Sequence, residues 1–202
     1  MGETMQCAQR LYENGYISYM RTDSTVLSSE ADSLARGSVE RIFGSNFIGA
    51  EAQASEESAA HEPIRPSIID GEFVHPNDLI SHSSANGERV PPKLHKMYEL
   101  IYARTLASVM AESVTNITSI SIMTNDLDSE LRASTSIMVE LGYTKAYGNV
   151  LDKTKTSSLA SLSVGDELLA QNVTSSDQST SPPSRYTEAG FVRVLEELGI
   201  GR

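Results

Sequence analysis

Tryptophan is absent from this 202-residue chain and cysteine occurs once, at Cys7, so no internal disulfide framework holds it together. The plain reading of Cys7 is a small apolar residue on a helix. Long hydrophobic runs are missing too. Nothing approaches the ~20 apolar residues that span a bilayer, and the N-terminus shows no basic stretch followed by an apolar core. These absences predict a soluble, cytoplasmic protein with no membrane partner. Basic charge is also scarce. Sixteen Lys and Arg against 27 Asp and Glu leave a net charge of −11, which argues against nucleic-acid affinity built on phosphate counting and leaves room for a few placed arginines. Hydrophobic content of 39% is lean yet far from the disordered extreme. The length allows one large domain or two modest ones, each with its own core. His75, His82 and His95 have no cysteine or carboxylate at metal-site spacing, so no zinc site is predicted.

The segment that carries chemistry is Gly15-Tyr16-Ile17-Ser18-Tyr19-Met20-Arg21-Thr22-Asp23-Ser24. Its first half alternates as a short strand would, placing Tyr19 and Arg21 on one face. A phenolic oxygen can attack phosphorus and form a covalent phosphotyrosine, while a guanidinium beside it grips the phosphate oxygens and offsets the charge that builds up. A free phenol titrates near pH ~10 and needs such help at neutral pH. A tyrosine in a strand is more often a half-buried packing residue, so the geometry alone leaves both readings open.

Around this segment the periodicity predicts helices over about Glu3 to Asn14, with Thr4 as N-cap and Gly15 at its end, and over about Ser29 to Phe43, closed by Gly44. The second helix would bury Ala31, Leu34, Ala35, Val39, Ile42 and Phe43. Its N-terminus, just after the tyrosine motif, offers N–H groups and a positive dipole end to a phosphate, or simply an ordinary cap. Residues 45–60 are small and acidic and carry no obvious chemistry. His61-Glu62-Pro63-Ile64-Arg65-Pro66 is an extended piece pinned by two prolines. Its His61 and Arg65 suit phosphate contact, the plain alternative being a surface His and an Arg paired with Glu62. Residues 73–90 read as a connection rich in turn formers, among them Asn86-Gly87. Pro91-Pro92 open a long helix to about Ala111, with Tyr98 and Tyr102 in its apolar stripe and given no catalytic role.

The period then changes to two. Val114 to Met123, Leu131 to Glu140 and Leu168 to Thr174 predict antiparallel strands, separated by Asn125-Asp126, by Gly142 and by a polar stretch over 153–158. A Ser/Thr linker over 175–181 leads to a last amphipathic helix, about Thr187 to Leu198, closed by Gly199. Together these give an α+β fold: a helical tyrosine-bearing domain over 1–111, part of an antiparallel β-rich domain over 112–178, and the start of a further helical domain over 179–202.

Three blocks resemble the bacterial type IA DNA topoisomerases. Tyr19-Met20-Arg21-Thr22-Asp23-Ser24, preceded by Ala8-Gln9-Arg10-Leu11-Tyr12-Glu13-Asn14-Gly15, is similar to the family's active-site tyrosine segment, and Met20 and Asp23 fit its topoisomerase I branch. Ala60-His61-Glu62-Pro63-Ile64-Arg65-Pro66-Ser67 resembles its His-Glu-x-Ile-Arg-Pro stretch, with Ser58-Ala59 departing from the Gln-Glu or Gln-Asp usual before it. Pro182-Pro183-Ser184-Arg185-Tyr186 through Leu198-Gly199-Ile200-Gly201-Arg202 resembles its Pro-Pro-Ala-Arg-Tyr segment and Gly-Ile-Gly-Arg end, with Gly190 in place of the usual Ser or Thr. Leu141-Gly142-Tyr143-Thr144-Lys145-Ala146-Tyr147 is a weaker match to a Gly-aromatic-x-Lys element. The resemblance implies an internal fragment lacking the Toprim domain, which in the intact enzyme holds Mg²⁺. It implies DNA, single-stranded or underwound, as partner beside the remaining domains of the polypeptide, and a nucleoid-associated place in the cytoplasm. It makes Tyr19 the nucleophile, Arg21 its catalytic partner, and His61, Arg65 and Arg185 DNA-binding residues. The β-rich part would belong to an arch in a ring-shaped molecule, its edges exposed without their partner strands. A tyrosine recombinase and a non-catalytic module in which Tyr19 only packs are the rival readings.

Overall fold

Gly15 is where the chain first reverses. In the computed structural model, which describes residues 2–50, 62–79, 90–124, 130–149 and 158–200, α1 spans Gly2–Glu13. Thr4 therefore lies within the helix and does not cap it. At the other end the Gly15 N–H donates to the Tyr12 carbonyl at 2.8 Å and the Tyr16 N–H to the Leu11 carbonyl at 2.9 Å. Gly15 adopts φ 74°, the left-handed turn that satisfies a helix's last carbonyls. The tyrosine segment thus leaves a closed helix end in a fixed direction.

α2 spans Ser29–Phe43, as its periodicity predicts, with the Ser28 side chain accepting from the Ala31 N–H and Gly44 closing it at φ 102°. Its buried residues are Ala31, Ala35, Ser38 and Val39. Ile42, expected in that stripe, stands 44% exposed. The Arg36 guanidinium pairs with Asp32 and also donates to the Gly49 and Ala50 carbonyls, which folds the chain after α2 back along the helix. There Ile48 bridges to Met110, so closely that a Cβ on Gly49 would sit 2.6 Å from the Met110 carbonyl oxygen.

Asp70 and Gly71, both at positive φ, turn a small hairpin of β1 (Ile68–Ile69) and β2 (Glu72–Phe73). An Asp-Gly pair between apolar residues is a strong hairpin signal, although strands of two residues are too short to show a period. α3, Pro92–Ser108, then runs through the centre and stops three residues short of the expected Ala111. One of its faces packs Leu94 and Tyr98 against Ala8 and Leu11 of α1, Ile17 and Met20 of the tyrosine segment, and Val74 and Leu79. The other packs Tyr102, Leu106 and the following Val109 and Met110 against Ala31, Ala35 and Val39 of α2 and Phe73 of β2. Burying one such leucine stabilises the fold by about 1.5–3 kcal/mol. α3 is thus the shared wall of two clusters.

β3 (Val114–Met123) and β4 (Glu130–Glu140) pair antiparallel, with Ile120 opposite Ala133 and Ile122 opposite Leu131. The third expected strand is not there. Residues 168–174 are irregular and exposed, because alternation makes a strand only where a partner offers backbone groups, and no described strand does so here. A 3₁₀ helix over Gly142–Tyr147 follows β4 and packs on α3. α4 spans Glu188–Glu197, capped by Thr187, whose side chain accepts from the Gly190 N–H. It ends like α1, with the Ile200 N–H reaching the Leu195 carbonyl and Gly199 at φ 69°. The fold is mixed helix and sheet with small antiparallel sheets, as expected. The expected turn formers Asn86-Gly87 and Asn125-Asp126, the departure Ser58-Ala59, most of the 153–158 stretch and Gly201-Arg202 lie outside the described residues.

Candidate nucleic-acid interface and tyrosine segment

The tyrosine segment is not the strand its alternation suggested. It makes one antiparallel bridge, Ile17 to Pro66, with the Ser18 N–H on the Arg65 carbonyl at 2.9 Å and the Ser67 N–H on the Tyr16 carbonyl at 2.8 Å. The ladder cannot extend either way, because its next donors are already engaged. The Tyr16 N–H closes α1, and the Arg65 N–H donates to the Ser18 hydroxyl at 2.9 Å. Side-chain oxygens that bond nearby backbone compete with regular structure in this way. Burial follows: Ile17 is 2% and Met20 8% exposed, while Tyr19 between them is 50% exposed. Two buried anchors hold an outward phenol.

The Tyr19 ring meets Tyr12 of α1 edge to face, centroids 5.3 Å apart. Arg21 is exposed. Among the described residues neither the Tyr19 hydroxyl nor the Arg21 guanidinium has a hydrogen-bond or ion-pair partner. Both are free to meet a ligand. The other tyrosines on this core differ. Tyr98 is fully buried and donates to the Val74 carbonyl at 2.8 Å. Burial pushes its phenol well above the ordinary range, with the charges of Tyr102 and Tyr16 adding to the rise. Burial also raises Tyr102, aided by Glu72 and Asp78 and opposed by Arg41.

Arg65 is engaged within the protein. Its Nε donates to Glu62 Oε2 at 3.0 Å, a second guanidinium nitrogen pairs with the same oxygen, and a third donates to the Pro66 carbonyl at 3.0 Å. The side chain is 13% exposed. Glu62 in turn accepts from the Ser28 N–H at 3.2 Å, so its carboxylate occupies the start of α2, where the sequence had suggested room for a phosphate. Burial raises the Glu62 pKa, but hydrogen bonds from Arg65 and Ser28 and the Arg65 charge outweigh it and hold the carboxyl below its ordinary value. His61 lies outside the described residues. Arg185 is exposed in the irregular stretch before α4, and among the described residues no hydrogen bond joins its backbone to that of the tyrosine segment. Sequence reasoning missed Ser18 altogether and considered Glu62 only as a partner for Arg65. Nothing but the three-dimensional bonding reveals Ser18.

Against known proteins, residues 2–202 match the family described as DNA topoisomerase. The chain is 37% identical to DNA topoisomerase 1 of Streptomyces coelicolor over 213 residues, covering 98% of this chain and 21% of that protein. It is 38% identical to DNA topoisomerase 1 of Pseudomonas aeruginosa, covering 99% of this chain and 22% of that one. The fold is similar to full-length topoisomerase I from Thermotoga maritima, with a TM-score of 0.70 at 28% identity over 98% of this chain and 31% of that one. The chain spans about a fifth of the curated relatives it matches. On this evidence of sequence and fold together, the chain belongs to the family of bacterial DNA topoisomerases.

Proposed function

We propose that this chain is the strand-cleaving portion of a type IA enzyme that relaxes negatively supercoiled DNA. The Tyr19 oxygen attacks a backbone phosphorus and gives its proton to solvent, the bond from phosphorus to the 3′ oxygen breaks, and the departing 3′ oxygen takes a proton from solvent. The result is a 5′-phosphotyrosine and a free 3′-hydroxyl. Strand passage follows, and the 3′-hydroxyl re-attacks to release the phenol. Arg21 offsets charge on the phosphate, and His61 and Arg185 hold neighbouring backbone. Arg65 would hold a phosphate only by giving up Glu62 and Pro66. The observation that carries this reading is the half-exposed Tyr19 between two buried anchors, its hydroxyl without a partner among the described residues.

The resemblance assigns Mg²⁺ to a Toprim domain. Among the described residues no group of three or more His, Cys, Asp or Glu side chains could hold a metal ion. The net charge of −11 accords with weak DNA binding by this chain alone. No helix among the described residues is long and apolar enough to cross a membrane, and we place the protein in the cytoplasm with the nucleoid. The division at 111 and 178 is likewise our reading.

The test is covalent trapping. The chain is mixed with a Toprim-containing N-terminal portion of a relative, Mg²⁺, and 5′- or 3′-labelled single-stranded DNA, then denatured. An adduct joined through the DNA 5′ end and lost in Tyr19→Phe supports the reading, whereas a 3′-phosphotyrosine sinks it. The Tyr12 contact favours a second reading, in which Tyr19 only packs; adduct formation unchanged in Tyr19→Phe would establish it.

A further inference from the structure

Four hydrogen bonds tie the tyrosine segment to the strap over 62–67, and two of them belong to the Ser18 hydroxyl. It donates to the Pro63 carbonyl at 2.8 Å and accepts from the Arg65 N–H at 2.9 Å. The Ser18 N–H and the Tyr16 carbonyl supply the others. The strap is itself held at its far side by Glu62, which joins Arg65 to the Ser28 N–H at the start of α2. Tyr19 therefore follows a residue bonded to the strap, and the strap is bonded to α2. We propose that Ser18 and Glu62 are positioning residues for the Tyr19 phenol, acting as two fasteners of one brace between α1 and α2.

The physical case rests on what else fixes this segment. Ile17 and Met20 anchor its apolar side, and the Ser18 N–H bonds the Arg65 carbonyl. The Tyr19 ring touches only the half-exposed Tyr12 ring among the ring contacts of the described residues, which leaves the strap-facing side of Ser18 to its hydroxyl. That hydroxyl stands where a strand would offer its own carbonyl. Buried-side contacts give the segment stability, and these polar bonds give it direction. A nucleophile misplaced by about 1 Å loses on the order of a hundredfold in rate, so direction matters for the chemistry.

This inference deepens the reading of Tyr19 as nucleophile and rests on it only for its kinetic consequence. Its test separates the two. The whole chain is labelled with 3-fluorotyrosine, and Tyr19→Phe identifies the Tyr19 line in the ¹⁹F spectrum. In Ser18→Ala and Glu62→Gln the Tyr19 line should shift toward that of the free amino acid, while the Tyr98 line, from the buried core, stays put. Ser18→Thr, which keeps the hydroxyl, should retain the native line. In the trapping assay the same two variants should slow adduct formation at saturating DNA by about tenfold or more, with apparent DNA affinity within about twofold for Ser18→Ala, and Ser18→Thr should restore most of the rate. An unmoved Tyr19 line in both variants overturns the proposal. So does a Tyr98 line that moves in step with Tyr19, since the brace would then hold the domain and not the phenol. If the lines behave as expected but Tyr19→Phe still forms adduct, the positioning stands and the nucleophile assignment fails.

Discussion

Tyr12 and Tyr19 meet edge to face, their centroids 5.3 Å apart and their planes at 70°. The first sits in the last turn of α1 and the second beyond the Gly15 reversal, so the contact closes a small loop over the helix end. Edge-to-face pairs contribute about 0.5–1.5 kcal/mol beyond area burial, and two half-exposed rings belong at the low end. Tyr12→Leu should lower stability by about 0.5 kcal/mol and Tyr12→Phe should leave it unchanged, read from the urea midpoint at 222 nm.

Tyr98 offers a sharper case. Its buried hydroxyl bonds the Val74 carbonyl, so Tyr98→Phe strands that oxygen and should destabilise by about 1–3 kcal/mol. Tyr19→Phe, at an exposed hydroxyl without a described partner, should fall within about 0.5 kcal/mol of the parent. Equal losses in urea denaturation would contradict the assignment of the two phenols to different roles.

Acid should release the brace. The folded-state pKa of Glu62 lies below its ordinary value because hydrogen bonds and the Arg65 charge overcome burial. A depressed carboxylate contributes stability that is present above the unfolded pKa, about 4.3 for Glu, and is lost as pH falls through the folded value. The stability gap between the parent and Glu62→Gln should therefore be constant from neutrality to about pH 5 and close below it. A gap that widened on acidification would refute the direction.

Two glycines predict opposite signs. Gly37 lies inside α2 with open space where a Cβ would go, so Gly37→Ala should stabilise by up to about 1 kcal/mol. Gly142 has φ 46°, and a Cβ there would run into the Glu112 carbonyl. Gly142→Ala should cost more than about 1 kcal/mol, measured by the same denaturation.

The helices were legible in the sequence because their periods agree with the glycines that follow them, Gly15 after α1, Gly44 after α2 and Gly199 after α4. The expected cap Thr4, by contrast, lies inside α1, and the cap Ser28 went unread. The pairing of β3 with β4 was legible from their alternation. What failed depended on partners that periodicity does not name. The alternation at Tyr16 to Arg21 gave a single bridge because the Tyr16 and Arg65 N–H groups had other acceptors. The alternation at 168–174 met no strand, and Ile42 obeyed the helical period yet faced outward. At the site, the tyrosine motif was plain from its residues. The commitment of Arg65 to Glu62, weighed in the sequence as the plainer option, is what the structure contains.

The meeting of Gly142 with Glu112 has a mechanical side. The β3–β4 hairpin departs from the helical body beside Glu112 and rejoins it at Gly142, where the Tyr143 N–H binds the Ala111 carbonyl at 2.7 Å. Both legs are rooted at one spot, like the two shanks of a staple driven into the same hole. A pull that parts the two legs is carried to this seam next to α3, where it loads the hydrogen bond from Tyr143 to Ala111.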